Sequence, residues 1–231
     1  MPRRNAGPKS ADAETRARLL RAATELFAAG GYHGTTVRDI AARAKANVAA
    51  THYHFGSKHE LYIAVLRDRF ALVRAQMDRA GGRLGDAEIA TRTRAELEAI
   101  FHARITVILE FTVGPPGALH AQLMLREMLD PSEALPIIVA EFLEPIMVRE
   151  MSTLVARLAP TLDADSLLRS VASISAQALF YRSTRPASLR IFKARSWSPA
   201  FLRVLAEHIT QFSLGGVARL EARARGGSGA R

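Results

Sequence analysis

The chain has 231 residues, 48% of them hydrophobic, which is enough for a buried core and excludes an unfolded, solvated tail. Its 32 lysines and arginines against 22 acids leave a formal charge of +10, so a macromolecular partner should be polyanionic, a nucleic acid or an anionic membrane surface. Without cysteine there is no disulfide framework and no thiolate zinc site. The basic opening MPRRNAGPKSADAETR lacks the apolar run of a signal peptide, and no segment offers about 18 uninterrupted apolar residues for a membrane span. The expectation is a cytoplasmic chain that binds nucleic acid and not membrane.

Apolar residues recur at helical spacing nearly throughout, and no run alternates with period two, so the fold class is all-α. Residues 1–11 read as a flexible basic arm with Arg3, Arg4 and Lys9, either reaching into a minor groove or simply solvated. A first helix is predicted from Asp12 to Ala29, with Leu19, Ala23 and Phe27 inward and Gly30-Gly31 as its stop. Thr36 and Asp39 have capping-box spacing and open a second short helix. KAN breaks it, and Asn47 is placed to cap a third helix ending near His54. Two short helices about a tight turn make a helix-turn-helix.

Ser57 and Glu60 form a second capping box that opens a long helix ending at Gly81-Gly82. Further helices are predicted over about 86–112, 118–129, 136–158 and 163–183, and from Ser198-Pro199 to about Leu220, with a disordered basic tail over 221–231. The division expected is a reading domain over 12–60 and a helical effector-binding and dimerisation domain over 61–220.

The stretch THYHFGSKHELY, Thr51 to Tyr62, concentrates histidine and aromatic residues in a chain with only 6% aromatics. A metal site on His52, His54 and His59, a catalytic cluster, and a surface for phosphates and bases all compete to explain it. His52 and His54 point about 200° apart on a helix, which disfavours a shared metal. His102, Glu110, His120 and Glu127 have no compelling ligand spacing either, so neither metal nor cofactor is expected. No Gly-x-Ser-x-Gly, His-Glu-x-x-His, phosphate-cradling glycine loop or cysteine nucleophile supports an enzyme.

The order of signatures Leu-Leu-x-Ala-Ala-x-x-Leu-Phe, Gly-Tyr, Thr-Thr-Val-Arg-Asp-Ile-Ala and Tyr-His-Phe-Gly-Ser-Lys-x-x-Leu-Tyr over residues 12–66 resembles the DNA-binding domain of the TetR/AcrR family of bacterial repressors. Phe142-Leu143-x-Pro145, Ser173-Ile174-x-x-Gln177 and HITQFSLGG from His208 are similar to a CerR-type C-terminal domain of one branch. The turn departs from the family's glycine: Lys45 stands there, where a positive φ is needed.

The resemblance implies double-stranded DNA as partner, with the third helix in the major groove. Asn47, Val48, Ala49, Thr51 and His52 would face bases, Asn47 being equally a pure cap. Tyr53 and His54 would meet the backbone, Thr36, Arg38 and Lys58 would meet phosphates, and Lys45 would add a charge close to DNA. It also implies a homodimer built by the last two long helices, with Leu167, Val171, Ile174, Leu179, Phe201, Leu205, Ile209 and Phe212 in the interface or in an intramolecular core. A small hydrophobic or amphipathic effector would touch Phe101, Ile105, Met124, Met128, Phe142, Gln177 and Tyr181, unless these are plain core; Arg104 and Arg126 are possible polar anchors. The implied function is a ligand-responsive repressor on a pseudo-palindromic operator, the alternatives being a regulator or activator without an effector and, from another class, an enzyme.

Overall fold

The structure is a computed structural model and describes residues 8–79, 86–113 and 119–227. Among these residues every regular element is helical. The chain divides into two compact units, one of residues 1–71 with 119–138 and the other of 72–118 with 139–231. The first unit is therefore discontinuous in sequence, with 119–138 packed together with 1–71.

In the first unit α1 (Pro8–Gly30) begins four residues earlier than the sequence suggests, so Lys9 is helical, whereas Arg3 and Arg4 lie outside the described residues. Its inward stripe of Leu19, Ala22, Ala23 and Phe27 is buried. Helix α2 (Val37–Arg43) is opened by the Thr36–Asp39 capping box, in which each side chain bonds the other's backbone amide. It closes with two reverse bonds, from the Lys45 amide to the Ala42 carbonyl and from the Ala46 amide to the Ala41 carbonyl. That closure puts Lys45 at φ 51°, in the left-handed region where glycine is preferred.

Helices α3 (Val48–Phe55) and α4 (Lys58–Arg79) meet at Gly56, with φ 75°. The positive φ favours glycine, and a Cβ there would also lie 2.2 Å from a Glu60 carboxylate oxygen, which would have to swing away from its capping position. That carboxylate is held by the Ser57 amide at 2.8 Å, and the Ser57 hydroxyl accepts from the Glu60 amide at 3.1 Å, the capping box read from the sequence.

In the second unit the helix predicted over 86–112 is two, α5 (Asp86–Ala90) and α6 (Arg94–Val113). Thr93 interrupts it by capping α6, with its own amide and hydroxyl donating to Glu96. Back in the first unit, α7 (Leu119–Leu129) and the short α8 (Leu135–Ile138) complete the core.

The helix expected over 136–158 likewise is not uniform: α8 runs into a π-helical segment, Val139–Arg149, which gives way to α9 (Glu150–Leu158). Pro145 has no amide to donate and would crowd the carbonyl of Glu141, so the turn widens. An Arg74 guanidinium N–H donates to that carbonyl at 3.4 Å.

Asp163 caps α10 (Ala164–Ser183), a short α11 (Arg185–Ile191) fills a stretch predicted as loop, and Ser198 caps α12 (Pro199–Gly227). Helix α12 continues through ARARGG, so 221–227, expected to be disordered, are helical. Helices α10 and α12 both pack on α6, which makes the core of this unit.

Candidate nucleic-acid interface

The geometry of α3 follows from its two ends and one buried seam. The Asn47 side-chain oxygen accepts from the Ala50 amide at 2.6 Å, so its carbonyl is engaged in capping and only its NH2 is left to meet DNA. One turn apart, Thr51 at 2% exposure and Phe55 at 8% face inward. Thr51 is therefore a core residue and not a base reader: its hydroxyl is buried with no hydrogen-bond partner.

The opposite face presents Val48, Ala49, His52 and Tyr53, with Tyr53 78% exposed. The His52 Nδ1 lies 2.7 Å from the Gly56 carbonyl. A carbonyl only accepts, so Nδ1 carries the proton and Nε2 is left for an external partner. His54 departs from the expected set: its side chain keeps 6% exposure, and its Nε2 lies 3.6 Å from the Asp12 carboxylate, because the ring wedges between α3 and α1.

Around this helix, the Thr36 hydroxyl donates to Asp39 at 2.6 Å, and Arg38 is exposed without an acid partner among the described residues. Lys45 is exposed. The Lys58 ammonium sits 4.3 Å from the centroid of the Tyr32 ring, so reaching a phosphate means giving up a cation–π contact of roughly 0.5–1 kcal/mol.

Behind the interface lies a polar cluster that no local pattern announces. Glu127 of α7, 1% exposed, accepts from the Tyr62 hydroxyl at 2.8 Å and from the Ser132 amide and hydroxyl, each at 2.8 Å. Burial first, and then the Glu127 carboxylate, push the Tyr62 phenol well above its ordinary value. Tyr32, stacked with Phe27 and tilted against Tyr62, donates to Glu133 at 3.2 Å and is raised in the same direction, mainly by burial. Arg126 donates to the carbonyls of Ala28, at 2.8 Å, and Ala29. It caps the end of α1. These partners lie up to 101 residues apart in sequence, beyond any motif.

The residues named for an effector are divided between the two units. Met124 and Met128 belong to the first unit, and Phe101, Ile105, Phe142, Gln177 and Tyr181 to the second. Phe101, Ile105 and Phe142 are buried, Gln177 donates to Ser213 at 3.0 Å, and Tyr181 joins an aromatic cluster with Phe192, Trp197 and Phe201. Arg104, 5% exposed, donates to the Met77 carbonyl at 2.9 Å and lies 3.5 Å from Glu150.

The interface residues sort by face. Val171, Ile174, Leu205 and Ile209 are buried within the chain, on helices that pack against α6, which favours the core reading over the interface reading for these four. Leu167 and Phe201 are half-buried, while Leu179 is exposed and Phe212 is 67% exposed. The exposed apolar residues on these helices include Leu168, Phe180, Val204 and Leu220, which the sequence does not single out. An open groove of about 320 Å³, lined by Ser173, Gln177, Phe212, Gly216 and Leu220 among others, runs between α10 and α12.

Among the described residues no three His, Asp or Glu side chains are gathered to hold a metal. His102 instead meets Thr210 at 3.1 Å. No helix among them is long and apolar enough to cross a membrane.

Comparison with known proteins covers both units. The model for bacterial regulatory proteins of the tetR family matches residues 19–65, and the model for the C-terminal domain of the HTH-type transcriptional dual regulator CecR matches 93–217. This is the branch anticipated from the C-terminal signatures, its name being CecR and not CerR. The HTH-type transcriptional repressor Rv3405c of Mycobacterium tuberculosis is 51% identical over 53 residues, 23% of this chain and 28% of that protein. The repressor NicS of Pseudomonas putida is 36% identical over 72 residues, 31% of this chain and 34% of NicS. The activator FasR of Mycolicibacterium smegmatis is 46% identical over 54 residues, 23% of this chain and 25% of FasR. The chain thus spans between a quarter and about a third of the length of these relatives.

Two solved structures share the fold. The hemolysin II transcriptional regulator HlyIIR has a TM-score of 0.56 at 20% identity, over 87% of this chain and 97% of that one. A transcriptional regulator from Rhodococcus sp. Rha1 scores 0.57 at 18% identity, over 88% and 96%. With a TetR helix-turn-helix domain at residues 19–65 and a CecR-type domain covering more than half of its length, the chain belongs to the TetR family of bacterial transcriptional regulators and is not an enzyme.

Proposed function

We propose that the protein is a cytoplasmic, homodimeric repressor that binds a pseudo-palindromic operator and releases it when a small hydrophobic or amphipathic effector binds. The observation that carries the DNA reading is the exposed face of α3, where Val48, Ala49, His52 and Tyr53 stand clear of a helix fixed at both ends. A helix of this diameter fits the major groove. The NH2 of Asn47 joins these as a reader, while Thr36, Arg38, Lys45 and Lys58 supply phosphate contacts that position the head without reading sequence.

The dimer reading is supported by the exposed apolar stripe of α10 and α12, with Leu168, Leu179, Phe180, Val204, Phe212 and Leu220. Such a surface is costly in a monomer and matches a self-complementary contact. The effector reading is supported by Arg104, 5% exposed in the second unit and 3.5 Å from the half-buried Glu150, since a charge taken out of water adds little stability by itself. To release DNA the effector must favour the incompetent state by a few kcal/mol. Repression is preferred to activation because Rv3405c and NicS are named repressors, although FasR is named an activator.

The test is selection of fragments of the source genome by the purified protein at physiological salt. Enrichment of a few fragments sharing an inverted repeat is expected, with the neighbouring genes pointing to the effector. Retention of all fragments alike, or of none, overturns the operator reading.

A further inference from the structure

The first unit carries a basic cleft that shares only Lys45 with the phosphate contacts proposed above. About 270 Å³ in volume, it lies between α1 and the turn after α2, with Arg18, Arg21, Arg43 and Lys45 around it, Glu25 as its acid, and the buried Ala22 and Ala44 in its lining. Glu25 is already engaged, accepting from the Arg43 Nε at 3.1 Å and Nη2 at 2.8 Å. Arg21 and Lys45 have no acid partner among the described residues, and the Arg18 Nε is buried without a hydrogen-bond partner.

The negative end of the α2 dipole accounts for a cation at Arg43 or Lys45. It does not account for Arg18 and Arg21 on α1, nor for an orphaned guanidinium N–H, because a buried donor without an acceptor is destabilising. Guanidinium and ammonium donors around one cleft with an apolar wall suit a phosphate, which accepts charge-assisted hydrogen bonds from them.

We propose that this cleft is a phosphate-accepting site, filled by a backbone phosphate of bound DNA beside the bases met by α3. Lys45 stands three residues before Val48, the first residue of α3, which places the cleft in the same reading head. In its DNA form the proposal rests on the operator reading above. A free phosphorylated small molecule offers the same chemistry.

The experiment measures DNA affinity against salt for the full chain, for Arg21→Gln/Lys45→Gln, and for Arg223→Gln on α12 as a control. Both cleft side chains are exposed, so the double variant is expected to fold. Its affinity should fall alike on operator and non-operator DNA. The slope of log K against log salt should become shallower by about 0.9 for each phosphate no longer neutralised, with sequence preference unchanged. The control should keep the original slope. In a second arm, pyrophosphate is titrated into the DNA-free protein at constant ionic strength while the melting temperature is followed. A rise that the double variant abolishes, together with an unchanged DNA slope, supports the phosphate site and assigns it to a small molecule. No change in either arm overturns the site. If the native protein selects no DNA sequence, the operator reading fails while the pyrophosphate arm still decides the cleft.

Discussion

The two units secure their helices by different means. In the first, buried polar bonds between distant segments set the geometry: Glu127 gathers Tyr62 and Ser132, and Arg126 caps α1. In the second, α10 and α12 pack on α6 with buried apolar side chains and the polar links His102–Thr210 and Gln177–Ser213, and large apolar residues remain uncovered elsewhere on α10 and α12. Hydrogen bonds are directional and specify one arrangement, as a reading head needs; apolar contact is adaptable, as a surface meeting a ligand or a partner needs. What each unit leaves exposed differs as well: a histidine and tyrosine on α3, and an apolar stripe on α10 and α12.

The largest test breaks the polar cluster. Glu127→Ala orphans three buried donors and should cost roughly 3–5 kcal/mol. Trp197, the sole tryptophan, reports the second unit, while amide exchange over 58–70 and 121–132 reports the first. Loss of protection confined to the first unit sustains the contrast, whereas an equal fall in the Trp197 midpoint would show that the two units melt as one.

Next is the apolar stripe. Phe212→Glu should convert the dimer to monomer in sedimentation while Trp197 fluorescence stays native, because the side chain is 67% exposed. A variant that still sediments as a dimer places the contact elsewhere.

Asn47→Ala should cost about 1 kcal/mol through loss of the cap, and Asn47→Asp should retain that stability. If Asn47→Asp nonetheless shifts sequence preference in fragment selection, the NH2 is a reader as well as part of a cap.

Lys45→Gly should add about 0.5–1 kcal/mol in chemical denaturation, since the left-handed φ of 51° no longer strains a side chain. Loss of stability there would mean that the lysine contributes more than its conformation costs.

The smallest effect is on acidification. The backbone amides of Ser166 and Thr93 hold the carboxyls of Asp163 and Glu96 below their ordinary values. A depressed folded value means stability present at neutral pH and lost as pH falls below the ordinary carboxylate range of about 4. Asp163→Asn should flatten the acid limb of the stability curve slightly.

Much of this is legible along the chain because its causes are local. Thr36 with Asp39, Ser57 with Glu60, Asn47 before α3 and Ser198 before α12 act within three residues, so helix starts and the helix-turn-helix can be read directly. Lys45 in the turn announces its positive φ for the same reason. The missed breaks are also local: Thr93 with Glu96 is a third capping box, and Pro145 marks the π-helical turn.

Tertiary structure alone decides which side of each helix is buried against a distant neighbour. Periodicity finds an apolar stripe but not whether it meets α6 or solvent, so it groups Val171 and Ile209 with Phe212 although the first two are core. Thr51 and His54 leave the exposed face of α3 because α1 packs there, and Glu127 becomes the centre of the reading head because folding brings it to Tyr62, 65 residues away. The sequence determines where helices begin and end through bonds a few residues long; burial and pairing across the fold depend on which helices meet, and only the assembled core settles that.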